Sequence, residues 1–419
     1  MSTVRKTNVR SGWRIARSGG ALVLCLLLVA GLCIMAAGCG DGKGGGDTTA
    51  TSPGGSGEGP VGDPIVIGAI VSTSGPASPL GEPERNTMQL LERQINEAGG
   101  VLGRPLKIVI LDDQSNAKEA VTAANRLLQQ DKAVAIIAAS ASATTLAVKP
   151  ITAKAGVPQI AMAASNAITD EAPNEWMFRV APKDDLAVNR ALEYIAEELG
   201  ASKMVVLYDE NAFGSSGLAE IEASGPGLGL EIVAKESYKT EETDLTAQLT
   251  KLKGSDAEVL VVWGTNPGPA VAAKNLKQLA WDVPYVGSHG IANLKFIELA
   301  GDSAEGVVFP STKILFPESI TDARQKALIE TFVADYTESF GEAPNHFAAH
   351  GWDAVMLLVE AIETAGSTEA AAIRDALNGI TDFAGADGIF NYSTDDHDGL
   401  SVEDLIMVRI ENGRWVLAK

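Results

Sequence analysis

The sequence predicts an α/β protein with two parallel sheets, each covered by helices on both faces. Three observations carry this. Short apolar, β-branched runs recur along the chain after Asp63, and they are apolar throughout rather than alternating, as strands buried on both faces are. Amphipathic helical patterns lie between them, the alternation that calls for parallel strands joined by crossovers. The alternation is also too long for one lobe of ordinary size.

The first series places strands at 65–70, 106–111, 134–137 and 159–161. Between the first two, Met88, Leu91 and Ile95 fall at helical spacing, and Gly99–Gly100 supply a stop. Asn116 is the N-cap of the next helix, with Ala117, Val121, Ala124 and Leu128 as its apolar face. The series ends in the run from Trp176 to Pro182, and a second begins with the helix after it. Its strands fall at 204–207 and 259–263, with helices near 186–199, 218–223, 245–252 and 271–279. Helices near 322–340, 346–365 and 368–379 follow, and strands at 405–410 and 415–417 close the chain.

The chain has 419 residues, a formal charge of −21 and three cysteines, all near its start. The first 38 residues hold Arg5, Lys6, Arg10, Arg14 and Arg17 and no acid, which leaves 28 basic against 54 acidic residues, or −26, on the remainder. So acidic a surface repels phosphate backbones and argues against a nucleic-acid partner. With Cys25, Cys33 and Cys39 all in the leader, the folded part has no internal disulfide, cysteine metal cluster or thiol nucleophile.

A basic stretch, the uncharged apolar run 21–37 and small residues before Cys39 form the layout of an export signal. As a helix the run would span about 25 Å, barely a bilayer's hydrocarbon core, so an uncleaved anchor is the alternative. Ala36-Ala37-Gly38-Cys39 resembles the bacterial lipoprotein box, although leucine is usual where Ala36 stands. That resemblance implies a signal peptide over 1–38 and lipidation of Cys39. Residues 39–63, rich in Gly, Ser and Thr, read as a flexible tether. The expectation is a domain held at the outer face of a cell membrane, and two acyl chains suffice for stable anchoring.

No GxxxxGK[ST], HExxH or GxSxG segment occurs, and nothing argues for an enzyme or a cofactor. Gly99, Gly100 and Gly103 follow a helix rather than opening one, so they read as a turn. His346 and His350 have i, i+4 spacing but read as helix-surface residues rather than a metal pair. The run Asp395–Gly399 reads as a solvated turn.

In open α/β sheets a ligand sits outside the carboxyl ends of the strands, beside helix amino termini. Four loops there are rich in small polar residues: 70–76, 138–145, 163–166 and 263–267. Hydroxyls and free N–H groups at a helix start suit a carboxylate. Plain N-capping is the competing explanation, and these loops alone leave the two about even.

A set of motifs in order goes further. It begins with Ile67-Gly68-Ala69, Ser74-Gly75-Pro76, Leu80-Gly81, and Ile95-Asn96-Glu97-Ala98-Gly99-Gly100-Val101 through Gly103-Arg104-Pro105-Leu106. Asp112-Asp113-Gln114-Ser115, Ser142 before Ala147-Val148-Lys149-Pro150-Ile151, and Ala155-Gly156-Val157-Pro158 continue it. Phe178-Arg179, Tyr208-Asp209, Phe213-Gly214 and Gly287-Ser288-His289-Gly290 complete it. In these the chain, over essentially all of 64–419, resembles the type I periplasmic solute-binding proteins, the leucine/isoleucine/valine-binding family of ABC importers.

The resemblance implies two Rossmann-like lobes, 64–181 with 311–400 and 182–310 with 401–419. Three crossovers near 180–183, 308–313 and 395–403 would join them around a solute. It implies that Ser142 and Ser165 hold a carboxylate, with Ala163 contributing backbone and Thr144 flanking. Phe213 is an aromatic wall, with Trp263 or Trp352 as further cover, and Asn266 is another side-chain contact. The partners implied are a small carboxylate or amino acid, most simply a branched-chain or other aliphatic one, and ABC permease subunits, with the protein a monomer. The alternatives are a non-amino carboxylate such as an aromatic acid, or the same fold serving a signalling partner.

Two positions depart from the family pattern. Leu80 stands in an aromatic position, and His289 stands where an acid pairs with the ligand's ammonium group. Burying an ammonium without an anion is costly. Asp209, Glu210 and Glu82 are the acids that could supply the charge from elsewhere, and a His289 outside the pocket is the other explanation.

Overall fold

The computed structural model describes residues 59–418. The signal segment, Cys39 and most of the tether lie outside the described residues. No helix among the described residues is long and apolar enough to cross a membrane.

The first sheet is built from β1 (Ile65–Val71), α1 (Ser78–Glu97), β2 (Leu106–Asp112), α2 (Ala117–Gln129), β3 (Ala135–Ala138), α3 (Ser142–Ala155), β4 (Gln159–Ala161), α4 (Ala167–Asp170) and β5 (Met177–Arg179). Its strands run parallel in the order β2-β1-β3-β4-β5. The interior strand β1 pairs Ile67 with Ile108 on one side and Ala135 on the other, and its side chains are buried toward both helical layers, hence the unbroken apolar run. Asn116 caps α2 as expected, its side chain accepting from the Lys118 and Glu119 N–H groups. The buried stripe of α2, however, is Ala120, Ala123, Ala124 and Leu127 rather than the Ala117 set. Close packing on the sheet explains the shift: a Cβ at Gly68 would lie 2.9 Å from Leu127 and 2.7 Å from Ile136.

The second sheet is built from α5 (Asp184–Glu197), β6 (Lys203–Asp209), α6 (Ala212–Ser224), β7 (Glu231–Tyr238), α7 (Thr246–Lys253), β8 (Val259–Trp263), α8 (Gly268–Gln278), β9 (Tyr285–Gly287), α9 (Leu294–Ala300) and β10 (Val308–Thr312). The chain then forms α10 (Ala323–Phe340), α11 (His346–Ala365), α12 (Ala370–Asn378) and a small antiparallel pair, β11 (Phe383–Ala384) with β12 (Ile389–Phe390). Strands β13 (Leu405–Glu411) and β14 (Arg414–Leu417) return to the second sheet, whose order is β14-β13-β10-β9-β8-β6-β7. Both added strands pair antiparallel. Meanwhile α11 packs back on the first sheet, where Ala354, Val355, Leu357 and Leu358 share one core with Ile67 and Ile108.

Strands β5, β7, β9 and β10 are absent from the sequence reading. β5 and β9 are three residues each, too short for a period. β7 is an edge strand rich in Lys and Glu, the composition that protects an edge from pairing. β10 carries Pro310, Ser311 and Thr312, which read as a connection and not as a strand.

Candidate functional site

Strand order reverses between β1 and β3 in the first sheet and between β6 and β8 in the second. Crossovers leave such a point in opposite directions and open a crevice at the strands' carboxyl ends. A cleft of about 780 Å³ lies there. One wall is Pro76, Ala77, Leu80, residues 140–144, Ala163 and Ala164; the other is Asn211, Phe213, Thr265, His289 and Gly290. Phe347 and His350 of α11 also line it.

Five of the seven ligand positions read from the sequence, Ser142, Thr144, Ala163, Phe213 and His289, line this one cleft. Ser142 is the first residue of α3, whose N-cap, Ala141, offers no side-chain cap. The first N–H groups of a helix find no partner within it, so this helix start faces the cleft as an uncapped donor set. Ser142 Oγ accepts from the Ser165 N–H at 3.3 Å, which leaves its own hydrogen to give. Ser165 is buried directly behind Ser142, and Thr144 Oγ1 donates to the Ala141 carbonyl at 3.0 Å. Asn266 lies apart from the cleft lining, buried, its Nδ2 donating to Asn293 Oδ1 at 3.4 Å.

Phe213 is backed by Trp263, with ring centroids 6.2 Å apart, and Trp263 Nε1 donates to Asp184 Oδ1 at 3.3 Å. Trp263 thus supports the wall from behind. Trp352 sits elsewhere, against Phe383.

Arg179, which the sequence marked only as part of a motif, holds the site together. Its side chain is fully buried; Nη1 donates to the carbonyls of Ala163, Ala164 and Ser165 at 3.3, 2.6 and 3.0 Å. One guanidinium therefore fixes the backbone of the loop behind Ser142. Its counter-charge is Asp398, bonded through Nε at 2.8 Å, so the run Asp395–Gly399 is not the wholly solvated turn expected of it. Burial raises the Asp398 pKa, but the Arg179 charge, the Thr169 hydroxyl and Lys183 together outweigh that and hold it below its ordinary value.

His289 lines the cleft at 3% exposure, with Nδ1 unpartnered. Burial, aided by His350 and Arg179, lowers its pKa to about 3, so it faces the cleft as a neutral imidazole. His346 and His350 are not helix-surface residues: both are buried, at 0% and 1% exposure. Helix α11 is apolar on nearly every face, and such a helix is a core element; that was the available signal. His289, His346 and His350 form a row, with successive ring centroids 5.9 and 4.4 Å apart.

Behind the row, His350 Nδ1 lies 2.6 Å from Asp387 Oδ2. Thr312 Oγ1 donates to Asp387 Oδ1 at 2.9 Å, so the same hydroxyl accepts from His346 Nδ1 at 3.0 Å. Asp353 accepts the Ala386 and Asp387 N–H groups at 2.6 and 2.8 Å. Burial pushes all of these groups toward neutrality: His350 down to about 3, His346 well down, Asp353 and Asp387 up. Among the described residues no group of three or more His, Cys, Asp or Glu is arranged to hold a metal ion.

The acids named as substitutes for the missing charge do not reach the cleft lining. Asp209 is tied to the Asn211 N–H at 3.1 Å and Thr240 Oγ1 at 2.8 Å. Glu210 accepts from Ser237 on the surface, and Glu82 is exposed. The carboxylates among the lining residues are Glu241 and Glu242, beside Lys239.

The chain matches the periplasmic binding protein family over residues 64–414. An amino acid binding protein of Pseudomonas aeruginosa PAO1 is 28% identical over 312 residues, 73% of this chain and 80% of that protein. The leucine-, isoleucine-, valine-, threonine- and alanine-binding protein of the same strain is 26% identical, over 76% of this chain and 83% of its own. The branched-chain amino acid transporter substrate-binding protein LivJ of Streptococcus pneumoniae, solved with isoleucine, superposes with a TM-score of 0.77 at 28% identity. That match covers 85% of this chain and 99% of that one. Two helix-covered sheets, a crevice at their strand ends and these likenesses agree: the chain belongs to the periplasmic binding protein family, with the type I fold of the substrate-binding proteins of transporters.

Proposed function

We propose that this protein is the extracytoplasmic solute-binding lipoprotein of an ABC importer. It takes up a small carboxylate-bearing ligand, a branched-chain or other aliphatic amino acid, between lobes 64–181 with 311–400 and 182–310 with 401–419. The observation that carries the reading is the uncapped start of α3, with Ser142 lining the cleft and its hydrogen-bonded neighbour Ser165 held by Arg179. Ser142 and Ser165 hold the carboxylate, Ala163 adds backbone and Thr144 flanks them. Phe213 covers the apolar part, and Asn266 is reached on closure. The names of the relatives support the amino-acid class. Closure selects a state only through contacts from both lobes, and the closed monomer is what the permease reads. Cys39, lipidated, and the tether hold the domain at the membrane.

A second reading is favoured by one observation: His289, which on the family pattern replaces the acid that pairs with an ammonium, is buried in the cleft lining, where burial lowers its pKa to about 3. A non-amino carboxylate would suit that end. The deciding experiment is a thermal-shift panel on the full-length protein with leucine, isoleucine, valine, benzoate and aliphatic carboxylates. A true ligand at 100 times its dissociation constant adds about 2.7 kcal/mol of stability. Aromatic acids alone giving shifts would select the second reading, and a panel without any shift would sink both.

A further inference from the structure

Behind the first wall of the cleft lie four polar side chains that the ligand reading leaves unused: Glu84 on α1, Ser140 after β3, Ser72 after β1 and Asp113 after β2. None is more than 2% exposed, yet Ser140 also lines the cleft. The Ser72 N–H donates to Ser140 Oγ at 3.0 Å, and Glu84 Oε2 is hydrogen-bonded to the same oxygen. Ser72 Oγ in turn donates to Asp113 Oδ1 at 2.7 Å. Glu84 Oε1 and Asp113 Oδ2 have no partner.

The protons can be counted. A serine oxygen has one hydrogen to give and two lone pairs with which to accept, and the Ser72 N–H fills one lone pair of Ser140. An ionised Glu84 would take the serine hydrogen, leaving Ser140 only a lone pair to show the cleft, which repels an anion. In a neutral Glu84 a hydrogen on Oε1 would find no acceptor, so it sits on Oε2 and is given to the second lone pair; the serine hydrogen then points away from both, on a residue that lines the cleft.

The surroundings favour the neutral form. A wholly buried carboxylate with one hydrogen bond and one bare oxygen is costly. The charged neighbour that bears on it, Asp113, is of like sign. On its backbone side Glu84 packs against Gly351 of α11, where an added Cβ would lie 3.0 Å from the Glu84 carbonyl oxygen. Burial pushes the carboxyl well above its usual range, with the Ser140 bond opposing and Asp113 adding.

We infer that Ser140 is a further hydroxyl donor to the anionic end of the bound solute, and that Glu84, neutral behind it, is the positioning residue that turns the Ser140 hydrogen into the cleft. This rests on the carboxylate reading given above. It supplies a third hydroxyl beside Ser142 and Ser165 and spares the ligand an anion in the wall.

The test uses the full-length protein, with isoleucine and benzoate as calorimetric probes. Ser140→Ala weakens the probe that binds by about tenfold. Glu84→Gln, whose amide N–H donates to the same lone pair, keeps the affinity within about threefold. Were Glu84 ionised, the same change would remove an anion and free the serine hydrogen, and binding would tighten. Tightening in Glu84→Gln, or unchanged affinity in Ser140→Ala, overturns the inference. A ligand-free readout stands beside these: the infrared difference between wild type and Glu84→Gln contains the carbonyl band of a neutral carboxyl at pH 7. Its absence overturns the inference by itself. If the band is present and neither probe binds, the carboxylate reading has failed and the Ser140 role falls with it.

Discussion

Arg179 and Asp398 form an ion pair, Nε to Oδ1 at 2.8 Å, across 219 residues of sequence. The same guanidinium holds three carbonyls of the loop behind Ser142. Replacing it with Met takes a buried donor from three carbonyls, of which Ala164 and Ser165 keep the Asp184 and Ile168 N–H groups, and takes the paired guanidinium from a largely buried carboxylate that keeps the Thr169 hydroxyl and Lys183. Arg179→Met should therefore cost about 3–5 kcal/mol of stability. Asp398→Asn should cost less, since an amide still accepts. Chemical denaturation of the two variants checks the order; equal losses would deny the guanidinium its role in the loop. Acid acts on the same pair: because the Asp398 pKa is depressed in the fold, its contribution is present above the ordinary carboxylate value and is lost as pH falls through the lowered one.

Ser142 keeps a hydrogen to give, since its oxygen accepts from the Ser165 N–H. Ser142→Ala should weaken carboxylate binding by about 1–3 kcal/mol. Calorimetry on the ligand found in the thermal panel measures this directly, and wild-type affinity in the variant would remove Ser142 from the site.

The three histidines of the buried row should stay neutral from pH 5 to 8, because burial lowers His289 and His350 to about 3 and His346 well down. Nitrogen-15 spectra of labelled imidazoles report each ring, and a midpoint near 6.5 in any of the three would contradict its burial. The sign of the linked effect follows. A histidine that charges only when unfolded favours unfolding below about pH 6.5, so its share of stability falls as pH drops toward the folded value. The raised pKa values of Asp353 and Asp387 act in the opposite sense, their share being lost as pH rises.

Gly217 faces the ring of Trp263, and a Cβ there would lie 2.0 Å from it. Gly217→Ala should cost about 1–3 kcal/mol through overpacking and shift the tryptophan that backs Phe213. Melting temperature and tryptophan emission would register both changes, and an unchanged spectrum with full stability would count against this packing.

Cys39 is the proposed attachment point of the lipid. Cys39→Ser should move the protein from the membrane fraction to the soluble one and abolish labelling by a radioactive fatty acid. Retention in the membrane would point to the apolar run 21–37 as an uncleaved anchor.

Much of the architecture was legible because its causes are local. Runs such as Ile65–Val71 are apolar on both faces only where helices cover both, and the Asn116 cap and the stop at Gly99–Gly100 are read within a few residues. The short strands Met177–Arg179 and Tyr285–Gly287 carry no period, and the polar edge Glu231–Tyr238 hides its own. Ordered motifs placed Ser142, Thr144, Ala163, Phe213 and His289, and all five line one cleft.

The sequence by itself determined the α/β alternation, the family resemblance, the acidic balance and the polar loops after the strands, since each depends on neighbours along the chain. The tertiary structure decided which of those loops meet and what stands behind them. It set Arg179 against Asp398, His350 against Asp387 and Glu84 against Ser140, pairs separated by 219, 37 and 56 residues. The physical reason is burial. The charge a side chain carries and the direction its hydrogen takes depend on the partners that packing brings within bonding distance, and no spacing in the sequence encodes them.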